Sequence, residues 1–117
     1  MIKLKRAYDR PSNADGVRVL VDRLWPRGVK KDALELSFWI KDLAPSTELR
    51  KWFDHDPAKW DEFRARYRKE LERPEARRLL AELAQSGKRG RLTLVYGARD
   101  EKHNQAVVLK EALEKLG

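Results

Sequence analysis

Apolar residues alternate with charged residues at the start of the chain. Residues 2–8 follow this period of two, which is typical of a half-exposed strand, and turn-forming residues follow at 11–16. Residues 17–25 are more continuously apolar and rich in valine, as expected for a strand that is covered on both faces. Residues 92–98 form a short unbroken apolar run of the same kind. The pattern predicts three strands, of which the last two are buried.

Helical periodicity occupies the chain between the second and third predicted strands, and its C-terminal end. Ser46 is expected to cap a short helix, and the Asp56-Pro57 pair is a standard start signal for a longer one. A further helix is predicted from Pro74 to Gly87, and the last helix is predicted to begin near Asp100 as its N-cap. Apolar positions three and four apart are expected to form the core, among them Trp60, Phe63, Tyr67, Leu71, Ala76, Leu79, Leu80, Leu83, Ala84, Val107, Val108, Leu109, Ala112, Leu113 and Leu116.

Residues 28–42 have no regular period and are predicted to be irregular. Their apolar side chains are expected to pack this segment onto the core: Leu34, Leu36, Phe38 and Trp39. The element order is therefore strand, strand, helices, strand, helix. This order predicts a small α/β fold, a two-layer or three-layer sandwich with a mainly parallel sheet of three to four strands. The first connection, residues 9–16, is short for a crossover, so an antiparallel hairpin stays open at this point.

Composition narrows the class of protein. With 117 residues, one domain spanning 1–117 is expected. A domain of this size can bury a hydrophobic core without disulfides or metals to stabilise it. The absence of cysteine excludes disulfides, thiolate nucleophiles and thiolate metal sites. The N-terminus lacks the apolar region of a signal peptide, and no window is apolar enough to span a bilayer. We therefore expect a cytoplasmic protein without a membrane partner.

The positive charge of the chain is unevenly distributed. The formal net charge is +8, and residues 1–31 hold nine Lys and Arg against three Asp, which leaves eighteen basic and sixteen acidic residues in the rest. An excess of this kind favours an anionic partner such as phosphate or nucleic acid. A merely solvated basic surface would give the same count, so both interpretations stay open.

Polar residues follow the second predicted strand directly. Arg23 is expected near its carboxyl end, and Arg27 lies just beyond the turn at Pro26. The planar fork of arginine donates two parallel hydrogen bonds to a carboxylate or phosphate. Ligands in open α/β sheets bind outside the carboxyl ends of the strands, so this turn is a candidate anion site. The alternative is that Asp22 and Arg23 form internal ion pairs and that Trp25 fills core.

The third predicted strand also runs into a polar turn. Arg99, His103 and Asn104 surround the expected start of the last helix, whose free amides attract anions, and Tyr96 lies at the end of the strand. His103 is the candidate catalytic acid or base, because imidazole titrates near neutrality. An exposed or hydrogen-bonded histidine without a catalytic role is the alternative. The predicted anion-binding residues are Arg23, Arg27, Tyr96, Arg99 and Asn104.

No motif indicates a metal or a cofactor. Four side chains are of the types that bind metals, namely Asp54, His55, Asp100 and His103. No pair of them has the spacing of an established metal-binding motif. We therefore predict no metal and no cofactor. Basic residues interleaved with aromatic ones at 59–69 could stack nucleic-acid bases, although their helical spacing also fits packing. P-loop, nucleophile-elbow and dinucleotide-binding patterns are absent.

Four ordered motifs carry a resemblance to a known family. They lie at residues 19–28, 39–46, 52–57 and 98–104. Together they resemble the YeaO-like branch of a bacterial and archaeal domain-of-unknown-function family, over essentially the whole chain. The resemblance implies no activity, substrate or catalytic residue, although broader members of the family share a strand that ends in Asp and Arg before a Pro, which agrees with Asp22, Arg23 and Pro26 at a slightly different spacing.

Two functional hypotheses follow from the sequence. The first is a small cytoplasmic α/β protein that binds a phosphate-bearing small molecule, nucleotide or nucleic acid where Arg23, Arg27 and the start of the last helix meet, with hydrolysis as one form of this hypothesis. The second is a non-enzymatic basic module that binds nucleic acid or a protein through its surface. A concave pocket in which Arg23, Tyr96 and His103 converge would favour the first. A flat basic face would favour the second.

Overall fold

A computed structural model describes residues 1–116 of the chain as an α/β domain. Its strands are β1 (Ile2–Arg6), β2 (Val17–Leu20), β3 (Phe38–Trp39) and β4 (Leu92–Tyr96). Its α-helices are α1 (Lys31–Leu34), α2 (Thr47–Phe53), α3 (Trp60–Glu70), α4 (Pro74–Arg89) and α5 (Gln105–Leu116), with 3-10 turns at Asn13–Asp15, Lys41–Leu43 and Pro57–Lys59. The final residue of the predicted 1–117 domain, Gly117, lies outside the described residues.

The four strands form one sheet in the order β1-β4-β2-β3, and all neighbouring strands are parallel. The predicted α/β class with a mainly parallel sheet is confirmed. Leu94 of β4 lies between Leu4 of β1 and Val19 of β2 in the register. Because β4 separates β1 from β2, residues 7–16 make a crossover between two parallel strands, and the hairpin alternative is excluded.

Apolar side chains cover the sheet on both faces. On one face, Val19, Leu92 and Leu94 belong to a large cluster with the buried residues of α2, α3, α4 and α5. On the other face, Leu20 and Val95 pack with Leu34 of α1 in a smaller cluster. The alternation of side chains along each strand explains the division. The fold therefore has the three-layer form of the predicted sandwich.

The predicted caps, and the apolar positions three and four residues apart, account for most of the helices. Ser46 caps α2, where its hydroxyl oxygen accepts from the amide of Leu49 at 3.1 Å. Asp56 caps the 3-10 turn that leads into α3. Buried side chains at the predicted helix positions include Phe63, Tyr67, Leu71, Ala76, Leu80, Leu83, Ala84, Val108, Leu109 and Leu113. Trp60 and Leu79 are partly buried, packed against the same cluster.

Several predicted boundaries are wrong. Residues 28–42 are not wholly irregular, since they hold α1 and the edge strand β3, and Phe38 is 60% exposed instead of packed. Helix α4 passes through Gly87 and ends at Arg89. Helix α5 begins at Gln105, and Asp100 is not its N-cap: the side-chain oxygen of Asn104 accepts from the amides of Ala106 and Val107.

A buried carboxylate joins the amino-terminal ends of the strands. Asp15 has no exposed surface, and it contacts Lys3 at 2.7 Å, Lys5 at 3.1 Å and Arg18 at 2.6 Å. Burial alone would raise the pKa of Asp15, but hydrogen bonds from Lys3, the backbone of Ser12, Lys5 and Arg18 hold that pKa well below its usual range. No local pattern in the sequence predicts this cluster, which fixes the crossover between β1 and β2.

The helices of residues 1–116 include none that is both long and apolar enough to cross a bilayer.

Candidate anion-binding cleft

A cleft of about 630 Å³ opens at the carboxyl ends of β2 and β4. The chain after β2 continues into α1 on one face of the sheet, whereas the chain after β4 continues into α5 on the other face. The connections thus diverge between these two neighbouring strands. Divergence of this kind leaves a crevice at the carboxyl ends of the strands, which is the usual ligand position in open α/β sheets.

Three segments form the walls of the cleft. The turn after β2 contributes residues 22–27, the turn after β4 contributes residues 97–105, and the region of α2 closes the third side. The lining residues are Tyr8, Asp22, Arg23, Leu24, Trp25, Pro26, Arg27, Pro45, Arg50, Phe53, His55, Phe63, Gly97, Ala98, Arg99, Asp100, His103, Asn104 and Gln105. Concave sites of this size with a largely apolar wall and a few charged groups are typical of small-molecule binding.

Four arginines line the cleft: Arg23, Arg27, Arg50 and Arg99. Within residues 1–116, none of the four has a carboxylate oxygen within 4.0 Å. Arg27, Arg50 and Arg99 are exposed. Unpaired guanidinium groups on one concave surface produce a positive potential that a bound anion would neutralise.

Arg23 is partly committed to the protein itself. Its Nε donates to the carbonyl of Pro45 at 3.0 Å, and its Nη2 donates to the carbonyl of Ala44 at 3.3 Å. These bonds hold the chain just before α2 against the turn after β2. A guanidinium has five N–H donors. Arg23 therefore both shapes the cleft and retains donors for a ligand, and within residues 1–116 neither Asp22 nor Arg23 forms the internal ion pair of the alternative interpretation.

Asp22 is the acidic group at the base of the turn after β2. Its Oδ2 accepts from the backbone amide of Gly97 at 2.9 Å, and its Oδ1 accepts from the side-chain amide of Gln105. Burial raises the pKa of Asp22 to about 6, even though both hydrogen bonds favour the ionised form. This carboxylate is thus held in place between β2, β4 and α5, and it lines the cleft.

His103 lies in the opposite wall with its orientation fixed. Its Nδ1 is 2.8 Å from Oδ2 of Asp100, and its ring meets the Trp60 ring edge to face with centroids 5.3 Å apart. The hydrogen bond to His103 is the main reason why the pKa of Asp100 is lowered. Asp100 also accepts from the amides of Lys102 and His103, so it caps its own turn. The predicted acid or base therefore faces the cleft beside a carboxylate.

Two of the predicted anion ligands are placed differently. Tyr96 is 2% exposed, belongs to the large core cluster, and is not among the lining residues. Asn104 is also 2% exposed, and it uses its side-chain oxygen to cap α5 and its Nδ2 to donate to the carbonyl of Asp100 at 2.9 Å. Alternation thus turns Tyr96 inward with Leu92 and Leu94, away from the cleft, whereas Asn104 lies in the cleft wall with its side-chain oxygen engaged in the helix cap.

The backbone after α2 carries His55 to the rim of the cleft. Asp54 and His55 both adopt left-handed conformations, with φ of 47° and 56°. Such conformations are uncommon for residues other than glycine and often mark functional segments. Arg50 and His55 were not predicted as anion ligands, and no local sequence signal distinguishes them from other residues of α2 and its C-terminus.

The structure thus brings Arg23, Arg27, Arg99 and His103 to one cleft, together with Asn104 in its wall. It adds Asp22, Arg50, His55 and Gln105, of which only Asp22 lies in a predicted strand, near its carboxyl end. Residues 1–116 contain no cluster of three or more His, Asp or Glu side chains arranged to hold a metal ion.

Trp25 packs edge to face on Trp39 at 5.4 Å between ring centroids.

The fold and the cleft define a small parallel α/β domain with an arginine-lined crevice at the strand ends. A family model described as the inactive DUF488-N3 subclade matches residues 1–116, and the chain belongs to this family. It is 45% identical over 116 residues to the uncharacterized protein YeaO of Escherichia coli K12, covering 98% of each chain. The resemblance to the YeaO-like branch is confirmed.

Mycobacterial proteins are similar over almost the same length. The chain is 42% identical over 112 residues to the uncharacterized protein Rv3073c of Mycobacterium tuberculosis H37Rv and to the uncharacterized protein Mb3100c of Mycobacterium bovis. The alignment covers 96% of this chain and 92% of each relative. A comparison with solved structures finds no significant match.

Proposed function

We propose that the cleft between β2 and β4 binds a small phosphate-bearing molecule and that the protein acts by binding it. The observation that carries this proposal is the set of four cleft arginines without a carboxylate partner among the described residues. Arginine forks match the geometry of phosphate oxygens. A structural role would instead be expected to pair these charges with Asp or Glu.

Binding without turnover is better supported than hydrolysis. The lining residues include no Ser, Thr, Cys or Lys. The hydrogen bond between His103 and Asp100 would suit an acid or base, but the one hydroxyl among the lining residues, that of Tyr8, donates to the carbonyl of Arg27 at 2.9 Å. The description of the family as an inactive subclade agrees with this interpretation.

A nucleic-acid surface has less support than the cleft. Basic and aromatic residues do interleave on α3, but the rings are covered from within the chain. Trp60 packs on Phe53, Phe63 and His103, and the other two rings of α3, Phe63 and Tyr67, are buried. Rings covered in this way are not free to stack on bases.

Calorimetric titration with inorganic phosphate at low ionic strength tests the proposal. Removal of one charge-assisted contact costs roughly 1.5 to 3 kcal/mol, which is about tenfold to a hundredfold in affinity. Arg99→Ala and Arg27→Ala are expected to weaken binding by that factor. Arg23→Ala should weaken it too, but it would also release the carbonyls of Ala44 and Pro45, so the first two variants are cleaner.

Lys88→Ala is the matched control. Lys88 is exposed near the end of α4, which leads into the amino end of β4 and lies away from the cleft. Its loss should leave phosphate affinity almost unchanged. Equal weakening by Lys88→Ala and Arg99→Ala would show diffuse attraction to a basic surface, and no binding at millimolar phosphate would refute the site. Turnover of a phosphate ester that is lost on His103→Ala would replace binding by hydrolysis.

A further inference from the structure

Asp22 is an unexpected group in a cleft for anions. It lines the same cavity as the four arginines, yet none of them pairs with it within 4.0 Å among the described residues. An ionised carboxylate repels a phosphate. Such a group adds nothing to the affinity for phosphate itself, so Asp22 can contribute to ligand binding only through a second feature of the ligand.

The carboxylate of Asp22 is fixed but not saturated. Its two oxygens accept one hydrogen bond each from the protein, from the amide of Gly97 and the side chain of Gln105. An ionised carboxylate has about four acceptor positions. Asp22 therefore retains acceptor capacity at the wall of the cleft, and a ligand group that meets it must be a donor.

Size and position restrict the ligand further. A cleft of about 630 Å³ is far larger than a phosphate ion and suits a molecule of nucleotide size. In dinucleotide-binding α/β folds an acidic side chain near the strand ends accepts from ribose hydroxyls, and Asp22 lines the cleft at a comparable place. At the rim, Leu24 is 59% exposed and Tyr8 is 49% exposed, which leaves apolar surface for a flat ring.

We propose that the ligand is a phosphorylated sugar of the nucleotide type, with its sugar hydroxyls on Asp22 and its phosphate on the cleft arginines. This inference rests on the proposed function, because it assumes that the arginines hold the phosphate. Asp22 would then distinguish ligands that carry sugar hydroxyls from those that do not. The arginines would bind the phosphate group, which all phosphate esters have in common.

The test compares two phosphate esters that differ in hydroxyl groups. Ribose 5-phosphate and methyl phosphate are titrated at pH 8, where Asp22 is ionised, into the wild type and Asp22→Asn. The wild type is expected to bind ribose 5-phosphate at least about tenfold more tightly, the equivalent of one charge-assisted hydrogen bond. In Asp22→Asn this preference should fall to about threefold or less, while methyl phosphate binds at least as tightly as before.

Controls separate this inference from the proposed function. Asp61→Asn removes an exposed carboxylate outside the cleft and should keep the full preference. If both esters bind the wild type equally, or the preference survives in Asp22→Asn, the sugar assignment is overturned while the phosphate site stands. If neither ester binds, the proposed function itself fails. Tighter binding of phosphoethanolamine than of ribose 5-phosphate, lost in Asp22→Asn, would overturn the sugar in favour of an amine.

Discussion

The backbone amide of Gly97 donates a hydrogen bond of 2.9 Å to Oδ2 of Asp22, and this contact joins the ends of two neighbouring parallel strands. The chain can come this close only because Gly97 lacks a side chain. A Cβ atom built there would lie 2.8 Å from the same carboxylate oxygen and 3.7 Å from Cβ of Pro26. The geometry of the cleft wall therefore depends on a glycine at this position.

Gly97→Ala is expected to displace the Asp22 carboxylate and to destabilise the fold by about 1 to 3 kcal/mol, the usual range for an inserted methyl group that forces its neighbours to move. Urea unfolding at pH 7 measures the change. Gly90→Ala is the control, since its Cβ would meet nothing within 4 Å and its extended backbone suits alanine. Similar losses in both variants would show that the close approach to Asp22 has no special cost.

The titration of Asp22 gives a prediction about pH. The pKa of Asp22 is raised to about 6 in the folded state from 3.8, so between these values the folded protein holds a proton that the unfolded chain releases. The contribution of Asp22 to the free energy of unfolding therefore falls as pH rises through this window and is constant above it. The full change is at most about 3 kcal/mol.

Asp22→Asn isolates this contribution, because asparagine keeps the shape and cannot ionise. The variant should gain stability relative to the wild type as pH rises from about 4 to about 6.5, and the difference should then level off. Parallel urea unfolding series across this pH range measure it. A difference that is independent of pH would mean that Asp22 titrates alike in both states.

Local signals in the sequence predicted much of the fold. The hydroxyl of Ser46 caps α2, and the spacing of Phe63 and Tyr67 places both in the core, because caps and helical periodicity depend on residues a few positions apart. Strand β3 has no such signal. It is two residues long and forms only because β2 lies beside it.

In the candidate site, too, some features follow from local sequence signals and others depend on contacts between distant residues. Its location at the strand ends could be predicted, since it depends only on the direction of β2 and β4. The start of α5 could not, because Asp100 and Asn104 are both good caps: the side chain of Asp100 caps the turn before the helix, and that of Asn104 caps the helix itself. Alternation along β4 could have shown that Tyr96 points inward with Leu94. The role of Gln105 depends on contact with Asp22, 83 residues away.

Leu83 provides a test of the helix faces. It is 5% exposed on α4 and belongs to the large cluster that covers one face of the sheet. Leu83→Ala should cost about 2 to 5 kcal/mol, because a cavity remains where the side chain packed. Gln85→Ala, two residues away on the exposed face, should change stability little. An unchanged melting midpoint for Leu83→Ala in thermal unfolding would contradict the assigned face.

Asp15→Asn should be the most damaging of these substitutions. The carboxylate is buried against Lys3, Lys5 and Arg18, and its removal leaves three cations together without their counter-charge. Loss of one partner from a buried ionic cluster costs about 3 to 5 kcal/mol. Urea unfolding at pH 7 should show a loss of about this size, whereas Asp9→Asn, an exposed carboxylate in the same crossover, should show almost none.

The pH dependence of Asp15→Asn distinguishes charge from shape. Because the pKa of Asp15 is held well below 3.8 in the folded state, its stabilisation is fully present above that value and declines as pH falls toward the folded pKa. The gap between wild type and Asp15→Asn should therefore be constant from pH 7 to about pH 5 and narrow below pH 4. A gap that stays the same at pH 3 would show that asparagine disturbs the crossover by its hydrogen bonding alone, and that the three cations do not depend on the charge of Asp15.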